Sequence, residues 1–167
     1  LEGGYITRSC DSEGVATYSK KVVENGVLKT YLYNLKSAAK DNTKSTGNGF
    51  KAGFKGTVIT SATNFYIEKG DKSFEELAAE VNDGLLITDA AGLHSGVNPI
   101  SGDFSVAAEG FRIEKGKITV PVNQITIAGN FYEILNKIEY VGNDLKFNSS
   151  AVGSPSVLIS DISVAGL

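Results

Sequence analysis

Polar and apolar positions alternate over long stretches of this chain, and the alternation predicts strands. Residues 15–23 are rich in β-branched and aromatic side chains. Asn25-Gly26 follows, a pair that accepts the positive φ of a tight hairpin turn. Residues 27–33 read as the return strand, with Leu28, Thr30 and Leu32 set against Val27, Lys29, Tyr31 and Tyr33. A short helix is predicted over 35–40. Periodicity then fails across 41–56, which reads as a long polar loop, and strand character resumes over 58–68. Ser73-Phe74-Glu75-Glu76 has the form of a reciprocal helix cap. Phe74, Leu77, Ala78 and Val81 behind it form one apolar stripe. Gly84 is suited to a left-handed helix stop, and 84–88 to a short buried strand.

A second irregular stretch covers 91–103. Strands are predicted over 104–114 and 117–128, joined by Lys115-Gly116. Pro121 cannot donate a ladder bond, so its strand is placed at a sheet edge or interrupted there. Asn130 opens a helix carrying Phe131, Ile134, Leu135 and Ile138 on one face. Residues 139–147 and 156–165 close the chain as strands. The sum is an α+β fold, mostly antiparallel β-sheets with two or three short helices packed on them, over residues 1–167 as one domain. A Glu-polar-Gly pattern recurs at 24–26, 68–70 and 114–116; it reads as shared hairpin chemistry rather than duplication.

Composition narrows the function classes. Of 167 residues, 41% are hydrophobic and 21% charged, enough apolar material for a core. No apolar run approaches the roughly 20 residues that cross a bilayer. The net charge of −3 offers no basic field for nucleic acid, so direct binding to it is not expected. A single Cys and a single His exclude an internal disulfide or a multi-His metal site built from these residues alone. The chain holds no Met and begins at Leu1, which reads as a fragment entered through a short leader, Leu1-Glu2-Gly3-Gly4. No signal-peptide pattern is visible, and one thiol fits a reducing, cytoplasmic setting.

Few residues carry candidate chemistry. His94 stands beside Ser95 and near Asp89 and Asp103 in sequence, which raises a Ser–His–Asp arrangement. Adjacent side chains of an extended chain point to opposite faces, however, and no G-x-S-x-G elbow is present, so a solvated loop histidine is the better reading. Cys10 reads as an inert thiol. Thr46-Gly47-Asn48-Gly49 is glycine-rich but does not match a phosphate loop. It reads instead as a loop that packs on, or reaches, an extended partner. Gly92, Gly96, Ser101 and Gly102 allow close backbone approach in the second loop.

A series of motifs then follows in order. Asp11-x-Glu13-Gly14-Val15-Ala16-Thr17, Glu24-Asn25-Gly26-Val27-Leu28 and Lys44-Ser45-Thr46-Gly47-Asn48 come first. Then come Gly96-Val97-Asn98-Pro99-Ile100-Ser101-Gly102-Asp103-Phe104-Ser105, Ala108-x-Gly110-Phe111-x-Ile113-Glu114-x-Gly116, Pro121-Val122, Ile125-Thr126-Ile127-Ala128-Gly129-Asn130 and Val141-Gly142-Asn143-Asp144. Together they resemble the C-terminal region of the TldD/PmbA family, the so-called modulators of DNA gyrase. The resemblance implies a cytosolic proteolytic system of two homologous subunits. Its TldD-type member is a zinc protease with an upstream histidine pair and a late cysteine. Its PmbA/TldE-type member lacks the metal.

Here the loop of residues 145–155 has no cysteine, so the resemblance points to the PmbA/TldE type. It implies no catalytic residue, no metal and no cofactor in this chain. The implied partners are a TldD-like subunit or further copies of the chain, and extended or unfolded peptides. Thr46, Gly47, Asn48, His94, Asn98, Ser101 and Asp103 are the expected substrate or partner contacts. The alternatives are a zinc protease whose ligands lie upstream, and a gyrase-binding protein.

Overall fold

The computed structural model describes residues 4–166, so three of the four leader residues, 1–3, lie outside the described residues. In chain order the elements are β1 (Val23–Glu24), β2 (Val27–Leu28), α1 (Leu35–Lys40), β3 (Gly49–Lys51), β4 (Val58–Thr60), β5 (Phe65–Tyr66), α2 (Phe74–Glu80) and β6 (Asp83–Ala91). Then follow α3 (Leu93–Gly96), β7 (Asp103–Glu114), β8 (Lys117–Asn130), α4 (Phe131–Asn136), β9 (Ile138–Val141), β10 (Val152–Gly153), β11 (Val157–Ile159) and β12 (Ser163–Ala165). The architecture is α+β with small, mostly antiparallel sheets, as expected. The chain divides into two compact units, one of residues 1–67 and 146–154, the other of 68–145 and 155–167.

In the first unit Asn25 (φ 50°) and Gly26 (φ 74°) make the expected turn, but the hairpin they close is only two residue pairs long. Helix α1 begins at Asn34, whose side chain accepts from the Ser37 N–H at 2.7 Å while Ser37 Oγ accepts from the Asn34 N–H at 3.1 Å. The expected loop over 41–56 contains a strand. β3 pairs antiparallel with β4, Phe50 opposite Ile59. It is held from its other side by Ser12 N–H to the Gly49 carbonyl and Lys51 N–H to Ser12 Oγ. Those partners are nearly 40 positions away, so local periodicity could not reveal them. β5 and β10 pair in parallel, where Phe147 meets Tyr66 edge-on.

The second unit is built on a four-stranded antiparallel sheet, β12-β8-β7-β6. Val106, Ala108 and Gly110 of β7 are buried in alternation. A bulge before Ile113 then shifts the alternation by one residue, so Ile113 is buried instead of Arg112. Ile125 of β8 is 1% exposed and anchors the core with Val106 and Ala108. β12 pairs only with Thr126 to Ala128, so the stretch of β8 around Pro121 has a strand on one side alone. This is where a residue without an N–H is tolerated.

The cap of α2 forms as the sequence predicts: Ser73 Oγ accepts from Glu76 N–H at 3.2 Å, and Glu76 Oε2 from Ser73 N–H at 2.7 Å. Leu77 and Ala78 are buried beneath it. Gly84 is not a left-handed stop. Val81 ends the helix in an extended conformation, because Asn82 and Val81 present their carbonyls to the N–H groups of Lys115 and Gly116. Gly84 therefore enters β6, which runs on to Ala91.

Asn130 caps α4 through the Tyr132 N–H at 3.0 Å, but Phe131 stays 53% exposed and Ile138 belongs to β9. The predicted 91–103 loop holds a single helical turn, α3, which brings the helices among the described residues to four. The predicted closing strand over 156–165 is broken into β11 and β12 by Asp161, at φ 51°.

Candidate functional site

The residues expected to meet a partner fall into two groups, one in each unit. In the first unit Thr46, Gly47 and Asn48 are all buried. Thr46 Oγ1 accepts the Tyr33 N–H at 2.7 Å and lies 2.8 Å from Asn48 Oδ1, to which it donates. Asn48 Nδ2 donates to the Ser61 carbonyl at 2.8 Å. The Lys20 ammonium reaches into the same cluster, donating to the Thr46 carbonyl at 2.6 Å and to Asn48 Oδ1 at 2.9 Å, over the ring of Tyr18. Burial holds Lys20 below the ordinary lysine range, and the Asp11 carboxylate pulls the other way.

Asp11 is itself 5% exposed. It satisfies the N–H groups of Glu13 and Val15 at 2.9 Å and of Gly49 at 2.8 Å. Gly47 is at φ +69°, and a Cβ there would lie 2.3 Å from the Ala16 carbonyl oxygen. Only glycine fits that crossing of backbones.

In the second unit Asn98, Ser101 and Asp103 are brought together. Asn98 Oδ1 accepts the N–H groups of Ile100 at 2.9 Å and Ser101 at 3.2 Å. The Ser101 hydroxyl donates to Asp103 Oδ2 at 2.8 Å. Asn130 closes the group, donating to Asp103 Oδ1 at 2.8 Å and to the Ser101 carbonyl at 2.9 Å. The Asn130 bond, then the Ser101 bond, hold the Asp103 carboxyl below its usual range. This rigid tip presents Ile100, 89% exposed, to solvent.

His94 is exposed in α3 and has no hydrogen bond or ion pair with Ser95, Asp89 or Asp103, so no Ser–His–Asp arrangement forms. Sequence reading missed Lys20 and Asn130, whose roles depend on partners 26 and 27 positions away or more.

A third feature is an edge. β6 pairs with β7 along one side, and its other side has no strand partner among the described residues. Nine residues, Asp83–Ala91, therefore border an open row of backbone groups.

Among the described residues no three His, Cys, Asp or Glu side chains gather closely enough to hold an ion. With one His, at position 94, and one Cys, at position 10, the chain does not fit a zinc centre of its own. No helix among the described residues is long and apolar enough to cross a membrane.

Residues 1–166 match the PmbA/TldA metallopeptidase C-terminal domain. Metalloprotease PmbA of Escherichia coli O157:H7 is 37% identical over 163 residues, 98% of this chain and 33% of that protein. A Metalloprotease PmbA homolog of Buchnera aphidicola subsp. Baizongia pistaciae is 37% identical over the whole of this chain and 35% of its own length. The chain thus spans about a third of the length of the curated relatives it matches. Among solved structures, a proposed modulator of a DNA gyrase from Thermotoga maritima superposes with a TM-score of 0.82 at 47% identity, covering 95% of this chain and 35% of that one. TldE from Thermococcus kodakarensis superposes with a TM-score of 0.86 at 29% identity, covering 95% and 36%.

Proposed function

The chain belongs to the PmbA/TldA metallopeptidase C-terminal domain family, and from that premise we propose that it is the non-catalytic, peptide-holding domain of a PmbA/TldE-type subunit. Its partner is a TldD-like subunit that carries the zinc, or further copies of itself, in a two-component cytoplasmic protease. The observation that carries the reading is the open edge of β6. An extended peptide adds to such an edge through backbone hydrogen bonds, which gives binding with little sequence preference. That suits a protease that takes unfolded chains. The donor set supports the division of labour, since these residues leave the zinc to a partner. The loop of residues 91–103 continues directly from β6 and is the proposed peptide contact. The exposed parts of the 41–56 segment on either side of the buried Thr46, Gly47 and Asn48, with Phe54 fully exposed, are the proposed partner contact.

Amide exchange with and without an excess of an extended, uncharged peptide tests this. Protection is expected within residues 83–91. Binding that protects other residues and leaves 83–91 unchanged overturns the reading. A second reading, a DNA gyrase modulator, rests on what similar structures are called. The net charge of −3 opposes direct DNA contact, and a gel shift at low salt checks it.

A further inference from the structure

The sequence contains two Asn-Gly pairs, Asn25-Gly26 and Asn48-Gly49. Both are chemically able to deamidate. We propose that Asn25 is a site of spontaneous deamidation and isoaspartate formation, and that the fold shields Asn48 from the same reaction. This inference is independent of the peptide-holding reading.

The chemistry needs a free backbone nitrogen and a free carboxamide. The nitrogen of the following glycine attacks the Asn Cγ. The bond from Cγ to the side-chain nitrogen breaks, and ammonia leaves with the proton of the attacking N–H. Water then opens the resulting succinimide at either carbonyl, giving aspartate or isoaspartate. No oxidant or reductant is involved. Glycine in the second position removes the side chain that would block the attack.

Asn25 meets these needs. Asn25 and Gly26 are both exposed, and the Asn25 carboxamide has no hydrogen-bond partner among the described residues. The two residues form the turn of a hairpin with only two residue pairs, Val23 opposite Leu28 and Glu24 opposite Val27. A two-pair hairpin opens at little cost, so the turn leaves its resting dihedrals often enough for the attack geometry to form.

Asn48 meets none of them. It is 6% exposed. Its Oδ1 is held by Lys20 and Thr46, and its Nδ2 by the Ser61 carbonyl. The attacking atom is occupied too: the Gly49 N–H donates to Asp11 Oδ2 at 2.8 Å. Succinimide formation there requires four hydrogen bonds to open together.

The product matters to the hairpin. Either acid adds a negative charge next to Glu24, whose carboxylate already pairs with Lys21 and Lys29. Isoaspartate also adds a carbon to the main chain inside a two-residue turn, which breaks the register of β1 and β2.

The test is to age the purified protein at mildly alkaline pH and follow both sites by peptide mapping, with isoaspartate detected by enzymatic carboxyl methylation. In the native state Asn25 is expected to convert at least about tenfold faster than Asn48, whose reaction must wait for local unfolding. In concentrated urea the two rates are expected to converge. An Asn48 that keeps pace with Asn25 in the native protein overturns the proposal. So does a difference that persists unchanged in urea, because flanking sequence rather than structure then sets it.

Discussion

Asp11 holds three backbone N–H groups from two chain segments, at Glu13, Val15 and Gly49. Replacing it by Ala strands all three donors, two of them in the 11–15 turn and one at the first residue of β3. D11A is therefore expected to lose about 3–5 kcal/mol in urea unfolding, while D11N, which keeps one acceptor oxygen, loses less. Lys20 gives a pH signature. Its pKa in the folded chain lies below the ordinary value of 10.5, chiefly through burial of its charge.

A lysine lowered in this way costs stability while charged. The cost is complete below the folded pKa and disappears as pH rises from there to the unfolded value. Wild-type stability is thus expected to rise relative to K20M as pH climbs through that window. A constant difference between the two contradicts this.

In the sequence Thr46, Gly47 and Asn48 stand out only by their glycine-rich setting. Their polarity serves an internal network with Lys20 and Asp11 rather than an open surface, because the partners lie far along the chain.

Elements governed by neighbouring residues were the legible ones. The capping box of α2, the Asn-Gly and Lys-Gly turns and the buried stripe of α2 all depend on residues within a few positions of one another. S73A is expected to cost about 1 kcal/mol, because it strands the Glu76 N–H, while the Ser73 backbone N–H still donates to the Glu76 side chain. Thermal melts of S73A and E76A check both halves of the box; an unchanged S73A contradicts it.

β3 and the continuation of β6 to Ala91 were not legible. β3 exists because Ser12 and β4 supply its partners. β6 extends because Asp89, Ala90 and Ala91 find partners in Glu109, Ala108 and Ala107 of β7, more than 15 positions away. The consequence matters for function, since a five-residue strand became a nine-residue open edge.

On the scale of the whole molecule, exposed area argues for company. Tyr18, Val23, Val27, Leu28 and Tyr31 are each about half exposed or more, all within the first unit. A surface of this kind fits a domain that works against other protein, which is what the proposed division of labour requires.

The most direct test is the rate at which an extended peptide is hydrolysed by a TldD-like metalloprotease subunit, measured with and without this protein. The account predicts no hydrolysis by this protein alone and a raised rate when it joins its partner. Chelator-sensitive hydrolysis by this protein in the partner's absence would contradict it.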